Sequence, residues 1–161
     1  MRNFTLRKGF LEHRFGTRSS FKSFVVFVVM MIMATSSAMA EVIDGLRYDL
    51  NSEKKTATLL PKKNDKYSGD IIIPEKVKGN DGVEYVVTAF GDYSFEGCSD
   101  MTSITIPSTV TSFGYQCFND CRSLTSITIP SSVTSFGDFC FNGCSGLTSI
   151  TIPSSVTGGV I

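Results

Sequence analysis

Three consecutive segments of identical length dominate this sequence. Residues 85–107, 108–130 and 131–153 align without a gap, each ends in proline (Pro107, Pro130, Pro153), and the last two agree at 17 of 23 positions. This period constrains the fold more than any other feature. A 23-residue unit cannot bury its own apolar face and gains a core only by stacking on its copies. The shared columns are coherent: Phe90, Phe113 and Phe136; Phe95, Phe118 and Phe141; Cys98, Cys121 and Cys144; Met101, Leu124 and Leu147; Ile104, Ile127 and Ile150; Ile106, Ile129 and Ile152. Columns this regular and aromatic set the chain apart from Ser/Thr/Gly-rich disorder.

Within LTSITIP (124–130), Ser126 and Thr128 alternate with Ile127 and Ile129. Period two with β-branched residues predicts a short strand with one buried face, and Pro130 ends it. Phe136, Cys140, Phe141 and Cys144 recur at a spacing that predicts one to two helical turns, stopped at the Gly97/Asp120/Gly143 column. The expected fold is an α/β solenoid: a short array with one short strand plus one short helix per 23-residue coil, over 85–161, the part 154–161 being incomplete. Residues 41–84 lack the full repeat. GLRYDL (45–50) and TATLL (56–60) flank NSEKK and predict a β-hairpin, while DIIIP (70–74) matches the end of a repeat strand. The ten residues beyond one repeat between Pro74 and Pro107, around KGNDG (78–82), predict a loop or second hairpin. Residues 41–84 are therefore expected to form an N-terminal β-rich cap over the first edge of the array.

The zero net charge averages two unlike parts. Residues 1–40 carry six Lys/Arg against Glu12 alone, whereas the rest carries nine against fourteen acids. A basic stretch ending at Lys22, the apolar run FVVFVVMMIMA (24–34) and the A-x-A pattern Ala38-Met39-Ala40 predict a signal peptide over 1–40, cleaved after Ala40. The apolar run is about half the ~20 residues a spanning helix needs, so the membrane is expected to matter only for export. Arg122 is the one basic residue after Lys78, which argues against nucleic acid as a partner.

Catalytic chemistry finds little support. His13 is the single histidine and lies in the leader, and no base stands ready to activate a serine. Asp92 and Asp138 share a column that Tyr115 interrupts, which reads as solvated surface. No enzyme, cofactor or metal is expected. The five cysteines sit in the repeat register and read as reduced core thiols, with inter-coil disulfides or zinc at Cys117, Cys121, Cys140 and Cys144 as alternatives. The candidate binding residues are those facing outward from the expected strands: Ser103, Thr105, Ser126, Thr128, Ser149 and Thr151. Tyr93, Tyr115 and Phe139 offer a second, more varied surface on the expected helical side.

The unit FGDFCFNGCSGLTSITIPSSV (136–156), with its F-x-x-C-x-x-L-x-x-I-x-I-P order, closely resembles the BspA-like leucine-rich repeat, a 23-residue bacterial variety. IDGLRYDL, KTATL, YSGDIIIP and GVEYVVTAFGDYSFEGC resemble the usual entry into such an array, so the likeness covers about 43–157. It implies a secreted or cell-surface, non-catalytic module for protein binding or adhesion, with surface proteins of a host or neighbouring cell as partners. Two departures stand out. The array is shorter than is usual, and Cys117 and Cys140 occupy positions where a small residue such as Ala is common. Where the template continues Thr-Ser-Phe-Gly, this chain reads Thr157-Gly158-Gly159-Val160. That predicts an open C-terminal end, self-association through it, and, as the alternative function, a truncated structural fragment of a longer surface protein with no ligand of its own.

Overall fold

The structure, a computed structural model, describes residues 40–158. The expected leader up to Met39, and the Gly159–Ile161 end of the incomplete repeat, lie outside the described residues.

The N-terminal part is built from strands whose alternation is visible in burial. Leu46, Tyr48 and Leu50 are buried on β2 (Leu46–Asn51), as are Ala57 and Leu59 on β3 (Thr56–Leu60). The two form an antiparallel hairpin, preceded by β1 (Glu41–Ile43) antiparallel to β2. Asn51 closes the hairpin turn, its Oδ1 accepting from the backbone N–H groups of Glu53 (3.1 Å) and Lys54 (2.8 Å). The KGNDG segment is also a hairpin, joining β5 (Lys76–Lys78) to β6 (Glu84–Phe90). β6 lies parallel to β3 on one edge and takes β5 on the other, followed along that edge by β8 (Ser112–Phe113). β9 (Ser135–Phe136) extends the sheet parallel to β8. A second, two-stranded parallel sheet pairs β4 (Gly69–Ile72) with β7 (Met101–Thr105).

The repeat columns become ladders. Phe90, Phe113 and Phe136 stack with ring centroids 5.2 and 5.3 Å apart and planes within 10°, as do Phe95, Phe118 and Phe141 at 5.0 and 5.2 Å. The two ladders meet edge to face, for example Phe113 on Phe118 at 5.4 Å. Tyr67 covers the N-terminal end of the second ladder, 5.3 Å from Phe95. Backbone bonds repeat with the same period: Thr134 N–H donates to Thr111 O (2.9 Å) as Thr111 N–H donates to Thr88 O (2.9 Å).

Two expectations are corrected here. First, no helix is present among the described residues. The stretches expected to be helical run as successive turns, because two columns hold positive φ four residues apart: Tyr93 (59°), Gln116 (48°) and Phe139 (57°), then Gly97 (64°), Asp120 (56°) and Gly143 (72°). A right-handed helix requires negative φ throughout. Alternate N–H groups leave the local chain altogether: Phe118 donates to Cys140 O and Asp120 to Asn142 O, both at 2.8 Å, in the neighbouring coil. Second, the strand expected in each LTSITIP forms only once, as β7. In the next two copies, backbone groups of 125–129 and 148–152 make no hydrogen bonds among the described residues. The regular coil-to-coil pairing sits instead in the TSF segments of β8 and β9.

Candidate functional site

The sequence-selected hydroxyl residues fall on one segment of each coil. Thr105, Ser126, Thr128, Ser149 and Thr151 are exposed and Ser103 is half-buried. The isoleucines between them point the other way to a degree that declines along the array. Ile104 and Ile106 are buried, Ile127 is half-buried beside a buried Ile129, and Ile150 and Ile152 are both half-buried.

The first copy is tied down. Asp70 on β4 pairs with Ser103 on β7, and its Oδ1 accepts from Ser103 Oγ at 2.6 Å and Thr102 Oγ1 at 2.8 Å. These hydroxyls hold the Asp70 carboxyl below its ordinary range, Ser103 contributing most. The sequence reading missed Asp70. Its signal was available, since Asp70 precedes Pro74 by the same interval that separates Ser103 from Pro107.

The next two copies are open. Thr128 and Thr151 line a cavity of about 370 Å³ with Ile127, Ile129, Ser131 and Pro153. The structure thus brings together two of the six hydroxyl residues, floors them with isoleucine, and sets them beside backbone groups without hydrogen-bond partners among the described residues. Such a lining offers hydrogen bonds from both hydroxyls and main chain to an extended ligand, with apolar contact below. A larger cavity, about 620 Å³, lies between the β1–β2 turn and residues 62–65 and contains none of these residues. Two of its basic groups are engaged: Arg47 donates to Pro61 O (3.1 Å), and Lys62 sits 5.1 Å from the Tyr67 ring and 3.8 Å from Asp65.

The cysteines form no such site. All five are free thiols, Cys98, Cys117, Cys121 and Cys140 buried and Cys144 half-buried. Cys121 Sγ bonds Phe95 O at 3.1 Å and Cys144 Sγ bonds Phe118 O at 3.0 Å, so the pair satisfies backbone carbonyls one coil back. Burial pushes the Cys98 and Cys117 thiols up. No group of three or more His, Cys, Asp or Glu side chains arranged for a metal occurs among the described residues.

Coils of constant length, stacked through aromatic and backbone ladders, define a leucine-rich-repeat solenoid. Residues 83–158 match the family model described as BspA type Leucine rich repeat region (6 copies), so this region carries that family's repeat. Solved structures agree. A leucine-rich repeat protein from Bacteroides ovatus ATCC 8483 is 34% identical with a TM-score of 0.64, over 75% of this chain and 31% of that one. One from Bacteroides capillosus ATCC 29799 is 27% identical with a TM-score of 0.65, over 74% of this chain and 86% of that one. A leucine rich cell surface protein from Faecalibacterium prausnitzii A2-165 is 33% identical with a TM-score of 0.60, over 72% of this chain and 31% of that one. This chain spans about a third of the length of the Bacteroides ovatus and Faecalibacterium proteins. No curated protein shows significant similarity to it.

Proposed function

We propose that this protein is an exported or surface-displayed, non-catalytic repeat module that binds an extended segment of another protein, in adhesion, through the hydroxyl face of its second and third coils. The observation that carries the reading is the open stretch itself. Thr128 and Thr151 line a cavity next to backbone of 125–129 and 148–152 that makes no hydrogen bonds among the described residues. An extended peptide satisfies such groups by adding a strand, with alternate side chains meeting Thr128, Thr151 and the isoleucine floor. The cell-surface description of the Faecalibacterium relative supports display outside the cell.

Selection of displayed random decapeptides on the full chain tests this. Peptides rich in β-branched residues should emerge, and Thr128→Arg with Thr151→Arg should abolish their binding while the melting temperature stays within a few degrees. Failure of any sequence family to emerge, or undiminished binding by the double variant, rejects the reading.

A further inference from the structure

The turn side of the array carries a second surface that the hydroxyl face does not explain. Tyr93, Tyr115 and Phe139 come from three successive coils and are 40%, 37% and 48% exposed. Their rings touch edge to face, Tyr93 on Tyr115 at 5.5 Å and Tyr115 on Phe139 at 6.1 Å. They belong to neither buried phenylalanine ladder, so the core does not require them.

Tyr93 and Phe139 hold φ of 59° and 57°, a turn conformation they share with Gln116 of the same column and one that glycine occupies readily. Charge marks this trio. Tyr115 stands one repeat position before Tyr93 and Phe139, so Asp92 and Asp138 occupy its column in the coils on either side. Asp92 Oδ1 accepts from Tyr115 N–H at 2.8 Å, which fixes a carboxylate against the backbone of the central residue. Across residues 83–158 there are six acids and one base, Arg122, which is bonded to Asp120 at 3.2 Å.

We infer that the Tyr93–Tyr115–Phe139 ladder, flanked by Asp92 and Asp138, binds a lysine- or arginine-bearing segment of another protein. A cation within about 6 Å of an aromatic face is attracted by the ring, and a guanidinium also stacks on it. The neighbouring carboxylates add a charge that an anionic or neutral partner would not meet.

Fluorescence anisotropy of labelled hexa-arginine with the full chain tests this. Binding should saturate and weaken with added salt. It should fall about tenfold or more in a Tyr93→Gly/Phe139→Gly variant, and likewise in Asp92→Asn/Asp138→Asn. Glycine suits the positive φ at 93 and 139, so the first variant should keep or raise the melting temperature. Asn at 92 retains the oxygen that accepts from Tyr115, so the second should fold as well. Absence of saturable binding, undiminished binding by the glycine variant, or binding of a neutral cello-oligosaccharide or a second copy through these residues in place of the peptide overturns the proposal.

Discussion

Asn142 donates its side-chain N–H to Asn119 Oδ1 at 2.9 Å, joining equivalent positions of adjacent coils. Asn119 is 8% exposed and its backbone carbonyl also accepts from Gly97 N–H, so it bonds to both neighbouring coils. Asn119→Ala should lower unfolding free energy by about 1–2 kcal/mol in urea titrations. Asn142→Ala should lose less, because Asn142 is exposed. A double-mutant cycle should show positive coupling between the two, and additivity would deny the pair any shared contribution.

Two coils approach closely at Gly137. A β-carbon on Gly137 would lie 2.3 Å from Tyr115 N and 2.5 Å from Gly114 C, both backbone atoms that cannot swing aside. Gly137 is not at positive φ, so its requirement is space and not conformational freedom. Gly137→Ala is expected to part the coils and destabilise by about 3 kcal/mol, read as a lower urea midpoint. An unchanged midpoint would mean that the stack yields freely at this rung.

Two buried tyrosines in the N-terminal part should respond oppositely to loss of the hydroxyl. Tyr67 Oη donates to Leu60 O at 2.8 Å and accepts from Arg47 N–H at 3.0 Å. Tyr48 Oη is buried and finds no hydrogen-bond partner among the described residues. Tyr67→Phe should cost about 1–3 kcal/mol by stranding both partners. Tyr48→Phe should be neutral or mildly stabilising, since it removes an unsatisfied polar group. Thermal melts of the two variants decide the matter, and equal losses would contradict the bonding described.

Alkaline pH should unfold the protein through its N-terminal tyrosines. Burial raises the phenol pKa of Tyr48 and Tyr67, and the Asp81 carboxylate, accepting from Tyr85 Oη at 2.6 Å, raises that of Tyr85. The folded state therefore holds these protons more tightly than the unfolded chain. Their stabilising contribution is complete below the unfolded value of about 10 and is lost as pH rises through the folded values. Denaturant midpoints should hold up to about pH 10 and fall above it, with phenolate absorbance of the buried residues appearing as the protein unfolds. Full ionisation of all five tyrosines without unfolding would refute this.

Much of the interior could be read directly from residue type and spacing. Both phenylalanine columns are buried in all three coils, and the hairpins around NSEKK and KGNDG form where turn residues separate apolar runs. The candidate surface was legible less completely. Alternation in LTSITIP correctly placed Ser126, Thr128, Ser149 and Thr151 outward, yet it could not show that only the first copy pairs as a strand, nor that Asp70 holds Ser103.

The helix failed for a physical reason. The four-residue spacing of Phe136, Cys140 and Cys144 fits a helix, and it fits equally a run of turns that places the same side chains inward. The choice depends on φ at Tyr93, Gln116 and Phe139, residues whose identities do not announce a left-handed backbone. It depends also on N–H groups that bond across coils, as Phe118 does to Cys140. The sequence by itself determined the period, the inward columns and the need to stack, because burial follows from side-chain chemistry repeated at fixed length. Only the tertiary structure decided the backbone path between those columns, because hydrogen bonds made between coils outweigh the local preferences that spacing reports.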